Sequence, residues 1–188
     1  MITLEQPSLG LNSHHDHHVH VSMWNTGNVP ASKSAVEIAE WIRRVAVSAP
    51  GGRLKNVVFS CHGSPGHINI GTGIGLSDVP AFARLVVHDE PLVAKFWFRC
   101  CQVALIAAAG TSTDGNCFCS AFAQATKAYV VASTELQWSH GRTLPFGELD
   151  GFEGLVLSYG PDGNISWQHG YRSGWFDSAG RGAYQTPD

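Results

Sequence analysis

Three short runs of β-branched and aromatic residues constrain this chain more than any other feature. They are LKNVVFS at 54–60, KFWFR at 95–99 and YVVA at 129–132. Each is short for a helix and is largely apolar, so each reads as a strand buried within a sheet. Segments of helical pattern lie around them. A Ser34/Glu37 capping box opens a run with Val36, Ala39, Ile42, Val45 and Ala46 at helical spacing, and Pro50-Gly51-Gly52 stops it. Ser77-Asp78 caps a second helix over 79–87, with Pro80 allowed in its first turn. Residues 116–127 read as a third, carrying Phe118, Ala121, Phe122 and Ala125. Strands alternating with helices predict an α/β fold, a mainly parallel sheet with helices on both faces. Residues 154–159 and 164–168 flank Pro161-Asp162-Gly163, which predicts a C-terminal β-hairpin.

The length of 188 residues suits one domain. Residues 17–169 are expected to form it, between a flexible His-rich arm at 1–16 and a mobile tail at 170–188. Hydrophobic residues at 44% argue against extended disorder, and a net charge of −3 gives no basic surface for nucleic acid. Lys95, Arg99 and Gln102 interrupt the longest apolar stretch, 92–110, so no membrane insertion is expected. The N-terminus lacks a basic region followed by an apolar run, which points to the cytoplasm or to export without a classical signal peptide. Five cysteines, an odd number, fit a reducing compartment better than a disulfide framework.

In a parallel α/β sheet, chemistry gathers outside the carboxyl ends of the strands. The strand at 54–60 runs into Cys61-His62, and the strand at 95–99 runs into Cys100-Cys101. If the two are parallel neighbours, one sheet edge collects an imidazole and a thiol. The thiolate is the nucleophilic form of cysteine, and an adjacent histidine can accept its proton and later protonate a leaving amine. Backbone N–H groups at Gly63 and at Cys101 itself could hold an oxyanion.

The segment Val57-Val58-Phe59-Ser60-Cys61-His62-Gly63-Ser64-Pro65-Gly66, followed by Ile68-Asn69-Ile70-Gly71, resembles the strand–His–Gly segment of caspase-like (clan CD) cysteine peptidases. Phe96-Trp97-Phe98-Arg99-Cys100-Cys101-Gln102-Val103-Ala104 resembles the strand–Cys segment of that group, and the histidine precedes the cysteine as it does in caspases. Residues 122–133 are similar to the helix and strand that follow the cysteine in bacterial caspase-like domains of large surface proteins. The resemblance spans about 54–135. It implies a caspase-like three-layer sandwich and a cysteine endopeptidase, a bacterial-type effector that acts on a protein or peptide without a cofactor. His62 would be the general acid/base and Cys101 the nucleophile. Many bacterial members carry glycine where this chain has Cys100, so Cys100 stays open as the alternative nucleophile. The resemblance also places substrate beside Ser133-Thr134-Glu135, where Glu135 could select a basic side chain.

Two readings from other classes stand beside this one. A caspase-like module with an inactive dyad would serve binding or scaffolding. His15, His17, His18 and His20 could hold a metal in the arm, since imidazoles suit zinc, nickel or copper. Other motifs are missing. Cys117-Phe118-Cys119 lacks the spacing of a zinc knuckle, and Gly71-Thr72-Gly73-Ile74-Gly75 lacks the Lys-Ser/Thr of a phosphate loop and reads as a mobile hairpin or a substrate-side loop. There is no Gly-x-Ser-x-Gly elbow.

Overall fold

The computed structural model describes residues 1–14, 19–138 and 142–171. Its centre is a seven-stranded mixed sheet. The strands are β1 (Ser8–Ser13), β2 (Asn25–Val29), β3 (Leu54–Ser60), β4 (Val93–Arg99), β5 (Tyr129–Ser133), β6 (Gly154–Tyr159) and β7 (Ile165–Tyr171). Their spatial order is β7-β6-β5-β4-β3-β1-β2. The first five are mutually parallel, whereas β6 and β7 form an antiparallel hairpin on one flank. The three apolar runs are therefore adjacent strands, and the α/β class and the C-terminal hairpin follow the sequence.

Two helices flank the sheet, α1 (Ala35–Ser48) and α2 (Gly115–Thr126). The capping box of α1 is present: Glu37 N donates to Ser34 Oγ at 3.3 Å, and Ser34 N donates to Glu37 Oε2 at 2.9 Å. The expected helix at 79–87 is instead a 3₁₀ segment, Leu76–Leu85, with Pro80 inside. Its start is fixed by Asp78 Oδ2, which accepts the Gly75 N–H at 3.0 Å. Ile38, Ile42, Phe82, Phe118 and Phe122 from these elements pack on Leu9, Leu11, Val57, Phe59, Phe96 and Phe98 of the sheet.

Two further expectations need correction. Among the described residues, helices cover one face only. The opposite face, with Val58, Trp97, Val131 and Val156, is closed by Ile2, Leu4, Val19, Val21, Met23, Leu144, Leu149 and Phe152. Those residues come from irregular chain and from short strand pairs, Ile2–Thr3 with Glu148–Leu149 and His20–Ser22 with Thr143–Phe146. Polar pins fix this cover. Asn12 Oδ1 accepts Val21 N at 2.9 Å, Asn12 Nδ2 donates to Val21 O at 3.1 Å, and Ser60 Oγ donates to Val19 O. The second correction concerns the arm at 1–16. Ser8–Ser13 is a fully buried strand between β2 and β3. Its composition, SLGLNS, hid this, because its polar members make hydrogen bonds under the cover. Asn56 Nδ2, for example, donates to Ser8 Oγ at 2.9 Å. The tail beyond Tyr171 lies outside the described residues.

The start of α2 anchors the loop that leaves β4. Asp114 accepts Gly110 N at 2.7 Å and Cys117 N at 3.0 Å, and these backbone donors hold its carboxyl below the usual carboxylate range. A depressed folded-state pKa gives stability above the ordinary carboxylate pKa and loses it as pH falls through the folded value. Asp114→Ala is expected to cost about 1–2 kcal/mol in urea unfolding at pH 7. That cost should shrink steadily as the pH drops below about 4.

Candidate active site

Parallel pairing aligns the carboxyl ends of β3, β4 and β5. Arg99 lies opposite Ser60, and Phe98 lies opposite Ala132. The chain leaves these three ends at Cys61-His62, Cys100-Cys101 and Thr134-Glu135, so one sheet edge carries all three segments.

After β3 the chain turns into a small antiparallel meander, His62–Ser64, His67–Asn69 and Ile74–Gly75. The predicted hairpin at 71–75 is the last turn of it, with Gly73 N donating to Ile70 O at 2.9 Å. The first strand of the meander lies directly against the turn after β4. A Cβ on Gly63 would sit 2.7 Å from Cys101 O, 2.9 Å from Cys100 Cβ and 2.9 Å from Val103 Cγ2. Gly66 N donates to Val103 O at 3.1 Å. His62 is exposed and is the chain neighbour of the glycine that touches Cys101. Gly63→Ala must displace backbone, since the first obstacle is a carbonyl oxygen. It is expected to cost about 1–3 kcal/mol and to depress any thiol reactivity that needs His62. Thermal unfolding and probe labelling of the folded variant check both halves.

The two candidate sulfurs differ. Cys100 is 1% exposed, and its Sγ lies 3.2 Å from Cys61 Sγ and 3.5 Å from Phe59 O, inside the helix-side core. Cys101 is half-buried beside the exposed end of the sheet. Its Sγ accepts the Gln137 N–H at 3.3 Å and faces Gln137 O at 3.7 Å. Burial pushes the Cys101 thiol above its ordinary range. The Gln137 N–H and the Arg99 guanidinium oppose that rise, while Cys100 and Glu153 add to it. Cys61 is pushed well up by burial, then by its contact with Cys100.

The third segment is tied to the second. Gln102 N donates to Glu135 O at 2.9 Å and Ala104 N donates to Ser133 O at 3.0 Å. Ser133 is fully buried, with its hydroxyl donating to Glu153 O at 2.6 Å. Thr134 and Glu135 are the members of that trio that reach solvent. The Glu135 side-chain stem lies over Gly154, which has a φ of +73° and no room for a Cβ there.

Two residues at this edge escaped the sequence reading. Gln137 is buried, and Arg99 is buried at the end of β4 with its Nε lacking a hydrogen-bond partner among the described residues. A buried arginine cannot be told from a surface one by composition, and the only signal was its place two residues before Cys101. Of the N-terminal histidines, His20 is half-buried in its short strand, whereas His15, His17 and His18 lie outside the described residues. Among the described residues no three His, Cys, Asp or Glu side chains are grouped to hold a metal ion, and no helix is long and apolar enough to cross a membrane.

No family model, no curated protein and no solved structure matches this chain.

Proposed function

We propose that this chain is a caspase-like cysteine endopeptidase, with Cys101 as nucleophile and His62 as general acid/base. One observation carries the reading. The ends of adjacent parallel strands present a half-exposed thiol and, on a segment packed through Gly63 against the Cys101 backbone, an exposed histidine. In this reading the His62 ring takes the Cys101 proton as the sulfur attacks a peptide carbonyl. The tetrahedral oxyanion collapses to a thioester, and the leaving amine departs with the proton from His62. Water, activated by the same ring, hydrolyses the thioester and restores the thiol. Cys100 is a poor candidate for this role, because its sulfur is buried against Cys61. Thr134 and Glu135 offer an exposed border for an extended peptide, and Glu135 gives that border a carboxylate that would favour a basic side chain.

The raised Cys101 pKa makes the resting residue a thiol rather than a preformed ion pair. Its reactive fraction therefore grows with pH, so peptide cleavage and probe labelling should rise from pH 6 to 9 without an early plateau. A plateau reached by pH 6 would oppose this. The same burial favours a second reading, a binding module with a silent dyad. A peptide library digested by the wild type but not by Cys101→Ala or His62→Ala supports the peptidase. A library left intact by the folded wild type supports the module.

A further inference from the structure

The segment after Glu135 is built to a specification that a surface loop does not need. Gln137 is 7% exposed, and every polar atom of its side chain is used. Its Nε2 lies 3.0 Å from Glu135 O, 3.1 Å from Leu136 O and 3.0 Å from Glu153 O, and its Oε1 accepts Glu153 N at 3.0 Å. The next residue is tied from below, where Arg99 Nη2 donates to Trp138 O at 2.9 Å. Arg99 is itself 6% exposed and lies 6.0 Å from the Phe152 ring centre. Between these two anchors sits the Gln137 backbone, whose N–H points at Cys101 Sγ at 3.3 Å.

We propose that Gln137 and Arg99 are positioning residues that form a thiolate cradle for Cys101: the Gln137 side chain and the Arg99–Trp138 bond hold one backbone N–H on the sulfur, and the buried guanidinium supplies positive charge beside it. A buried guanidinium whose Nε has no hydrogen-bond partner among the described residues is costly unless anions lie near it; Asp150 and Glu153 offset its charge first, and an ionised Cys101 would add to them. The charged and titratable groups that act on the sulfur are Arg99 from the end of β4, Glu153 ahead of β6, the neighbouring Cys100, and Cys61 at the end of β3. The cradle and Arg99 favour the anion, while Glu153, Cys100 and burial oppose it. This inference rests on Cys101 being the reactive thiol of the proposed peptidase. It is tested without peptide turnover, so an inactive enzyme could still have the cradle and an active one could lack it.

The test is the rate of iodoacetamide alkylation of Cys101 against pH, resolved by mass spectrometry in a Cys117→Ser background with the fold checked by circular dichroism. Gln137→Met and Arg99→Gln should each slow alkylation at pH 8 by about three- to tenfold, because a one-unit rise in thiol pKa is a tenfold loss of thiolate. The deficit should close as pH rises, and Arg99→Lys should recover part of it. A folded variant at the wild-type rate, or one slowed equally at every pH, overturns the proposal. The wild-type chain gives a reading that needs neither variant to fold. The Gln137 amide proton resonance should titrate with the same midpoint as Cys101 alkylation, and a resonance that stays flat through that midpoint overturns the cradle.

Discussion

Cys101→Ala is expected to abolish peptide cleavage and labelling by a peptidyl electrophile, a loss of roughly 10³-fold or more, while the fold stays intact. The structural cost is small because the side chain is only half-buried, and its sulfur meets the Gln137 N–H and carbonyl rather than the packed core. His62→Ala should lower cleavage by about 10²–10⁴-fold, the usual scale of positioned acid–base help. It should leave unfolding unchanged, since the ring is exposed. The two variants separate by pH. Without His62 some cleavage should return at high pH, where hydroxide removes the thiol proton. Without Cys101 none returns. Full activity in Cys101→Ala, followed by loss in Cys100→Ala, would move the nucleophile one residue and would require the core around Cys61 to open.

The largest effect on stability is expected at Phe122. Its ring lies 4.7 Å from Phe82, 5.1 Å from Phe96, 5.2 Å from Phe98 and 6.0 Å from Phe118, centre to centre. It therefore joins α2, the 3₁₀ segment and the central strand in one aromatic cluster. Phe122→Ala removes that junction and leaves a void that rigid neighbours on three elements cannot close. A loss of about 3–5 kcal/mol is expected in urea unfolding, a large part of the 5–15 kcal/mol that domains typically have. Phe146→Ala, at a ring 64% exposed, should change stability by less than about 0.5 kcal/mol. A small loss at Phe122 would mean that the helix layer is not packed on β4 as described.

The legible parts of the fold were those whose burial is written in apolar residues. The runs of β3, β4 and β5 are covered on both faces, so their sequences are nearly continuous hydrophobic stretches. The first turn of α1 was legible because its cap is local chemistry between Ser34 and Glu37. β1 was not, because Ser8, Asn12 and Ser13 are buried polar residues. Asn12 finds its backbone partners through a cover nine residues further on, a pairing that no local pattern displays. Among the described residues the lack of helices on the second face has the same origin: the cover comes from segments far apart in the chain and pairs Ile2–Thr3 with Glu148–Leu149. At the edge, His62 and Cys101 were legible as strand-end residues. Gln137 and Arg99 were not, because their roles depend on bonds to Glu153 and Trp138 that form only once β5 and β6 are in place.

In the proposed mechanism His62 and Cys101 act as a pair on a bound peptide carbonyl. This pairing is tested most directly by treating the folded chain with a peptidyl acyloxymethyl ketone near pH 8 and locating the adduct by mass spectrometry. The dyad requires stoichiometric modification of Cys101 alone, slowed by about 10²-fold or more in His62→Ala. Modification at another cysteine, equal rates with and without His62, or a folded chain that takes up no label would contradict it.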